Sequence, residues 1–246
     1  MPGARQHVVL CEGFDDRSFW RGWLLHLGCH DPTDRGRRTV NDAWGRPVTG
    51  AGRFLFHTPA GSSVIVQPFG GRSMARQAAE EYLGRRQAYR PARVVLNLDC
   101  DAEDGDSTRA EDQIRGIARD LGAAVEGRGP YALEDSVLYP VIWQCGDPDP
   151  TSGLPGKQTL ERLAAAAILS AYSGRGPGVE SWLDAEPQGL KLPKSYGYSY
   201  FAKWYSNHGA ANFYEALWQD EAVVQELKKR LEDTRACRFV EELVGD

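Results

Sequence analysis

Two β-branched apolar runs that each end in acid do most to limit the fold. His7–Cys11 (HVVLC) runs into Glu12-Gly13, and Arg93–Asp99 (RVVLNLD) runs into Cys100-Asp101. Each is too short for a buried helix, rich in valine and bounded by turn residues, the pattern of a strand covered on both faces. After the first run, Phe19, Trp20, Trp23, Leu24 and Leu27 recur at helical spacing before Gly28. Strands are expected at Phe54–His57 and Val64–Gln67, separated by Pro59, Gly61 and Ser62. The turn Gly70-Gly71-Arg72 then opens a helix to about Gln87, with Met74, Ala78, Tyr82 and Leu83 inward. Beyond Asp99 the pattern predicts a helix with Ile114, Ile117 and Leu121, a short strand near Ala124–Glu126, and a helix from about Leu133. Such alternation describes an α/β fold, a Rossmann-like and mostly parallel sheet flanked by helices.

The character changes after Trp143. Residues 144–158 are rich in Pro, Gly and Asp, and beyond them helical spacing recurs at Leu160–Tyr172, Val179–Leu183, Tyr196–Ser206, Asn212–Trp218 and Glu221–Leu231. We expect an α/β domain over residues 1–146 and a helical C-terminal region over 147–246 packed on it.

Acid outweighs base: 34 Asp and Glu against 29 Lys and Arg give a formal charge of −5 over 246 residues. A polycationic nucleic-acid coat is thereby excluded, and any contact with phosphate has to be local or assisted by a metal ion. The N-terminus lacks a signal-peptide core, and no stretch approaches the roughly 20 apolar residues of a membrane span, so a cytoplasmic protein without membrane contact is expected. Cys11, Cys29, Cys100, Cys145 and Cys237 form no C-x-x-C pair, which reads as packing in a reducing compartment and argues against zinc.

In open parallel sheets ligands bind where strands deliver their C-terminal ends. Glu12, with Asp15 and Asp16 just after it, and Asp99 with Asp101 occupy such ends. Residues i and i+2 of an extended segment point to one side, so Asp99 and Asp101 are expected to share a ligand while Cys100 faces away. On a helical wheel Asp16 falls at roughly 60° from Phe19, inside the apolar arc, and Asp15 lies off its edge. Asp16 is therefore expected to face the sheet and Asp15 to cap the helix. The same construction for the helix expected at Leu133 puts Glu134 about 100° from Leu133, near the middle of the arc of Val137, Leu138, Val141 and Ile142. Converging carboxylates repel one another unless a divalent cation lies between them, and oxygen-only ligation suits Mg²⁺ or Mn²⁺. Strand-end acids also serve as caps and solvated turn residues, and that reading holds for each cluster taken singly.

These residues resemble the Toprim family. VVLCEGFDDRSFW is similar to its first motif, a strand ending in Glu-Gly with an acid four residues after the Glu and an aromatic three further on: Glu12, Gly13, Asp16 and Phe19. RVVLNLDCD resembles the second, a strand ending in Asp-x-Asp, and VIVQPFGGRSM the strand and glycine turn between them. YALEDSVL is similar to a segment of the Toprim domains of OLD-type nucleases and their small stand-alone relatives, where an acid completes a two-metal site. The resemblance covers residues from about 6 to 143. It implies a Toprim-like fold and a nuclease that hydrolyses phosphodiester bonds of DNA or RNA with Mg²⁺ or Mn²⁺, two ions in number. Glu12 would act as general base or metal ligand, and Asp16, Asp99, Asp101 and Glu134 as metal ligands. OLD-type sites also use a lysine after the acidic segment, which Lys203 or Lys194 matches in order, Lys203 slightly better. Those enzymes carry an ATPase domain before the Toprim domain, for which there is no room before Glu12. A separate ATPase subunit and a second copy of the chain stay open as protein partners.

GLPGKQT has Gly156-Lys157 but lacks the upstream glycine and the Ser or Thr of a phosphate-binding Walker loop. In the C-terminal region Lys191, Lys194 and Lys203 interleave with Tyr196, Tyr198, Tyr200, Phe201, Trp204 and Tyr205, a pattern that suits base stacking and, more often, core packing. Arg72, Arg35, Arg37 and Arg38 are further candidates for phosphate contact, with Lys191. Two other readings remain: a different Mg²⁺ enzyme using Asp-x-Asp, such as a phosphatase or sugar-nucleotide transferase, and a non-catalytic Toprim-like module that binds nucleic acid or regulates a partner. A haloacid-dehalogenase phosphatase would place Thr or Val where Glu103 stands, and Gly105 stands one place late for a calcium loop.

Overall fold

The computed structural model describes residues 5–34, 37–48, 52–85, 87–144, 154–185, 193–205, 213–232 and 234–244. Strand β1 (Gln6–Cys11) is buried along its whole length, as a valine-rich run covered on both faces should be. It pairs in parallel with β5 (Ser63–Pro68) on one side and with β6 (Arg93–Asp99) on the other, Cys11 standing opposite Pro68 and Asn97. Strand β4 (Phe54–His57) adds antiparallel to β5, and the hairpin of β7 (Tyr131–Leu133) and β8 (Ser136–Trp143) completes a six-stranded sheet in the order β4-β5-β1-β6-β8-β7. The fold is α/β with a mostly parallel sheet flanked by helices, followed by a helical C-terminal region. A separate ribbon pairs β2 (Val40–Asn41) with β3 (Pro47–Val48).

The chain divides into two compact units, and the division is not a single cut. One comprises Met1–Leu98, Ala110–Val141 and Arg238–Asp246, the other Asp99–Arg109 and Ile142–Cys237. In the first, helix α1 (Phe14–His26) buries Phe19, Trp20, Trp23 and Leu24, each worth about 1.5–3 kcal/mol in apolar burial. The Trp20 indole N–H donates to Asn97 Oδ1 at 3.0 Å, so the one polar side chain inside β6 is satisfied by the helix above it. A buried ion pair of Arg21 with Asp31 at 3.1 Å ties α1 to the following loop. Helix α2 (Ala75–Leu83) buries Ala78, Tyr82 and Leu83 as expected, whereas Met74 precedes the helix and is exposed. Helix α3 (Thr108–Asp120) buries Ile114 and Ile117. The strand expected near Ala124–Glu126 is irregular chain.

The helix expected from Leu133 is instead the β7–β8 hairpin. Val137, Leu138, Val141 and Ile142 satisfy both a helical arc and a buried strand, and β-branched residues with Pro140 in their midst favour the strand. The C-terminal helix belongs to this unit from Arg238 onward and lies outside the periodicities read above. It places Phe239 edge-on to Trp20 and Tyr139, with centroids at 6.1 and 5.4 Å.

The second unit is built around α4 (Leu160–Ala171), whose residues 160–168 are all buried. A helix buried on every side needs cover on every side, and its two buried charges, Glu161 and Arg162, are paired with Lys194 and with the Pro155 carbonyl. Helices α6 (Pro193–Trp204) and α8 (Glu221–Leu231) pack against it, with α5 (Gly176–Ala185) against α6 and α7 (Phe213–Leu217) between α6 and α8 in the chain. The C-terminal helix α9 spans Ala236–Val244. Cys11, Cys29 and Cys100 are buried free thiols, as packing residues should be, and Cys145 lies outside the described residues. Among the described residues no helix is long and apolar enough to cross a membrane.

Candidate functional site

Glu12 follows the last residue of β1 and meets the turn that follows β5. The amides of Gly70 and Gly71 both donate to the Glu12 carbonyl at 3.1 Å, and the amide of Arg72 donates to Glu12 Oε1 at 3.1 Å. Gly70 and Gly71 have φ of +81° and +114°, left-handed values that glycine reaches without strain. The two glycines thus aim three consecutive N–H groups at one residue. The turn is braced in its own right, since Gln113 Nε2 donates to the Arg72 carbonyl at 3.0 Å. Glu12 Oε2 is buried and has no hydrogen-bond partner among the described residues. A carboxylate oxygen left in that state costs about 1–3 kcal/mol or more, and a cation or a proton would satisfy it.

Asp16 is buried, as the helical wheel predicts, but Asp16 and not Asp15 caps α1. Its Oδ2 accepts from the Gly13 amide at 2.8 Å. The reason is register: the helix begins at Phe14 with Gly13 as N-cap, which makes Asp16 the third helical residue, the one whose side chain reaches back in a capping box. Beside it the Cys11 thiol is pushed up by burial and then by the Asp16 charge, so it stays protonated.

In the second unit, Asp99 and Asp101 each have a partner from the segment that opens α4. Asp101 has φ of +62°, so extended geometry ends at Asp99 and the i, i+2 rule no longer applies. Asp99 Oδ1 accepts the Leu160 amide of α4 at 3.0 Å, while Asp101 Oδ1 pairs with Lys157 Nζ at 2.8 Å. Residues 101 and 102 bracket Gln158 through two backbone bonds, Asp101 N–H to its carbonyl at 2.9 Å and its N–H to Ala102 at 3.0 Å. Gly156 sits so close that a Cβ there would stand 3.0 Å from the Glu103 carbonyl. The failed Walker string around Lys157 is therefore the strap that holds the Asp99–Glu103 segment. Lys157 is the functional candidate missed in the sequence: nothing local links it to an acid more than fifty residues away.

Glu134 is not brought to the end of the sheet where Glu12 lies. It occupies the β7–β8 turn with 78% of its side chain exposed, 3.5 Å from Arg90. Ser136 Oγ donates to the Pro91 carbonyl and Val137 N–H to Ala92, so β8 begins beside the start of β6 and Glu134 stands at the opposite end of the strands.

The basic candidates scatter. Lys194 lies 3.6 Å from the Glu161 carboxylate, and Lys203 is exposed with its ammonium 5.2 Å from the Trp204 ring centroid. Arg72 meets Glu12 through its backbone amide. Arg37 and Arg38 are exposed in the loop after Asp31, and Lys191 and Arg35 lie outside the described residues. The aromatic segment is packing: Tyr196, Tyr200 and Tyr205 are buried, Tyr200 stacks on Trp204 at 5.6 Å, and Tyr205 O–H donates to Asp220 at 2.9 Å. Burial pushes the Tyr205 phenol up to about 12. Among the described residues no three His, Cys, Asp or Glu side chains gather as a ligand group.

Together these observations define an α/β protein whose main acid candidates leave a parallel sheet at the C-terminal ends of β1 and β6. The hypothetical protein PH0156 from Pyrococcus horikoshii OT3 has a similar structure, with a TM-score of 0.65 and 15% identity over 98% of this chain and 99% of that one. That likeness shows the fold alone. No protein-family model and no curated protein matches the sequence.

Proposed function

We propose that this chain is a Toprim-type nuclease that hydrolyses phosphodiester bonds of DNA or RNA with Mg²⁺ or Mn²⁺. The observation that carries the reading is the state of Glu12, with Oε1 clamped by the Arg72 amide and Oε2 buried without a partner among the described residues. Its position fits: it follows β1 at the C-terminal edge of three parallel strands, the edge where such sheets bind ligands. Carboxylate oxygens suit a hard divalent cation in either unit, those of Glu12 and Asp16 in the first and those of Asp99 and Asp101 in the second, and Glu134 stays outside both groups. A divalent cation held by these carboxylates would supply water activation and neutralisation of charge on the leaving oxygen.

The chain's own residues do the rest. Glu12 Oε2 would hold a cation or take the proton of the attacking water, while the Arg72 amide keeps the carboxylate from rotating away and those of Gly70 and Gly71 fix the Glu12 carbonyl. Lys157, paired with Asp101 at 2.8 Å, would offer positive charge to the phosphoryl group in place of Lys203 and Lys194. Asp99 keeps its segment in place through the α4 amide.

The reading is tested by incubating the purified chain with plasmid, linear duplex, single-stranded DNA and RNA in Mg²⁺ or Mn²⁺, beside Glu12→Gln and Asp99→Asn. Cleavage lost in both variants supports the site, and cleavage surviving both sinks it. A second reading draws on Asp99 and Asp101 already having partners within the chain: a non-catalytic Toprim-like module that binds nucleic acid or regulates a partner such as a separate ATPase. Binding without cleavage of any substrate would favour it.

A further inference from the structure

Beside the Glu12 turn the first unit has a cavity of about 390 Å³ lined by Phe14, Gly52, Arg53, Gln67, Pro68 and Glu81. Phe14 is the most exposed large apolar side chain among the described residues, at 64%, only two positions after Glu12. An aromatic ring at the mouth of a cleft has little packing role and is available to stack. Arg17 lies over that ring at 4.9 Å and over the buried Phe54 ring at 4.3 Å, and its Nε finds no hydrogen-bond acceptor among the described residues. Burial lowers the affinity of this guanidinium for its proton, yet arginine stays charged, so a desolvated cation stands behind an exposed aromatic face. Arg53 adds a second guanidinium on the wall, and Gln67 is held by the Tyr82 hydroxyl, which donates to its Oε1 at 2.6 Å. Glu81 is bridged to Arg85 at 3.1 Å.

We propose that this cavity is the subsite for one unpaired nucleotide of a single strand, its base stacked on Phe14 and its phosphate met by Arg53 with Arg17 behind. The chemistry follows from the wall: a π face takes any base, paired guanidinium charge takes a phosphate, and Gln67 and Glu81 offer polar edges to the base. The volume lies at the lower end of small-ligand pockets, which span about 300–1,000 Å³, and admits a single nucleotide and not a duplex. A paired base reaches Phe14 only if it is first flipped out, which costs a few kcal/mol in a sound duplex and least where the base is already unpaired. The inference rests on the nuclease reading for its substrate, and it narrows that substrate to single strands or to unpaired positions.

The test measures binding in EDTA, where no cleavage can occur, by fluorescence anisotropy of labelled ten-nucleotide single strands, deoxy and ribo, and of a blunt duplex of the same sequence. Single strands should bind at least tenfold tighter than the duplex, and the stronger of the two single strands names the sugar. Phe14→Ala should weaken single-strand binding about tenfold, Phe14→Trp should restore it, and Arg53→Ala should lower its salt dependence. Tyr198→Ala, an exposed aromatic of the other unit, should change nothing. Circular dichroism checks that each variant is folded, which the exposure of Phe14 favours. Single-strand binding that is indifferent to Phe14→Ala overturns the subsite and leaves the nuclease reading standing. Binding that depends on Phe14, with no cleavage in any metal, upholds the subsite and sinks the nuclease. Preference for the duplex, or no binding of either form, overturns the subsite.

Discussion

Glu12 and Glu134 both follow an apolar strand in a turn, and the molecule treats them in opposite ways. Glu12 leaves β1 at the C-terminal edge of the parallel strands, with one oxygen clamped by a backbone amide and the other buried without a partner among the described residues. Glu134 sits in the hairpin before β8, exposed, 3.5 Å from an arginine. Water satisfies the second carboxylate at no cost. The first leaves one buried oxygen that a bound cation would satisfy. A carboxylate's chemistry thus depends on the end of the strand it occupies and on which oxygens the backbone has already taken. Glu242 of α9 is a third case, with both oxygens engaged by Tyr139, Arg93 and Arg238.

The contrast can be broken most directly by activity. Glu12→Gln should reduce metal-dependent cleavage on the order of a hundredfold or more, while Glu134→Gln should leave it at the parent rate; equal losses in a single-turnover assay would erase the distinction. Gly71→Ala comes next. No atom lies within 4 Å of the added Cβ, so the penalty is the φ of +114° alone, about 1–2 kcal/mol, read as a fall in Tm of a few degrees. Asp16→Ala should cost about 1 kcal/mol in denaturant unfolding as its cap is lost; a loss indistinguishable from zero would remove the cap from Asp16.

The Glu242 carboxyl sharpens the comparison through pH. Burial raises its affinity for a proton, but hydrogen bonds from Tyr139 and Arg238 and the charge of Arg93 outweigh that, and the group is held below its usual value. A depressed carboxylate stabilises the fold above its unfolded value, near about 4.3, and that contribution is lost as pH falls through the lower folded value. Parent protein should therefore exceed Glu242→Gln in stability near neutral pH, and the gap should close below about pH 4. Glu134→Ala should be the smallest effect, within about 0.5 kcal/mol, as for exposed ion pairs in general.

Much of the fold was legible because it rests on local patterns. Strands β1, β4, β5 and β6 and helices α4 and α8 lie within a residue or two of their expected bounds, since runs of valine and 3.6-residue spacing speak for themselves. The β7–β8 hairpin was not, because an arc of four apolar residues fits a helix wheel and a buried strand alike. The error carried Glu134 with it, from a site to a solvated turn.

By itself the sequence determined that acids end two buried parallel strands and that a glycine turn follows β5, because burial and backbone freedom are written in residue type. Tertiary structure alone decided that the turn's amides clamp Glu12, that Asp16 closes its own helix, that Asp101 pairs with Lys157, and that Phe14 opens onto a cleft with Arg53 on its wall. Those outcomes depend on contacts between segments distant in the chain and on the register of a helix start, and no local pattern of residues encodes either.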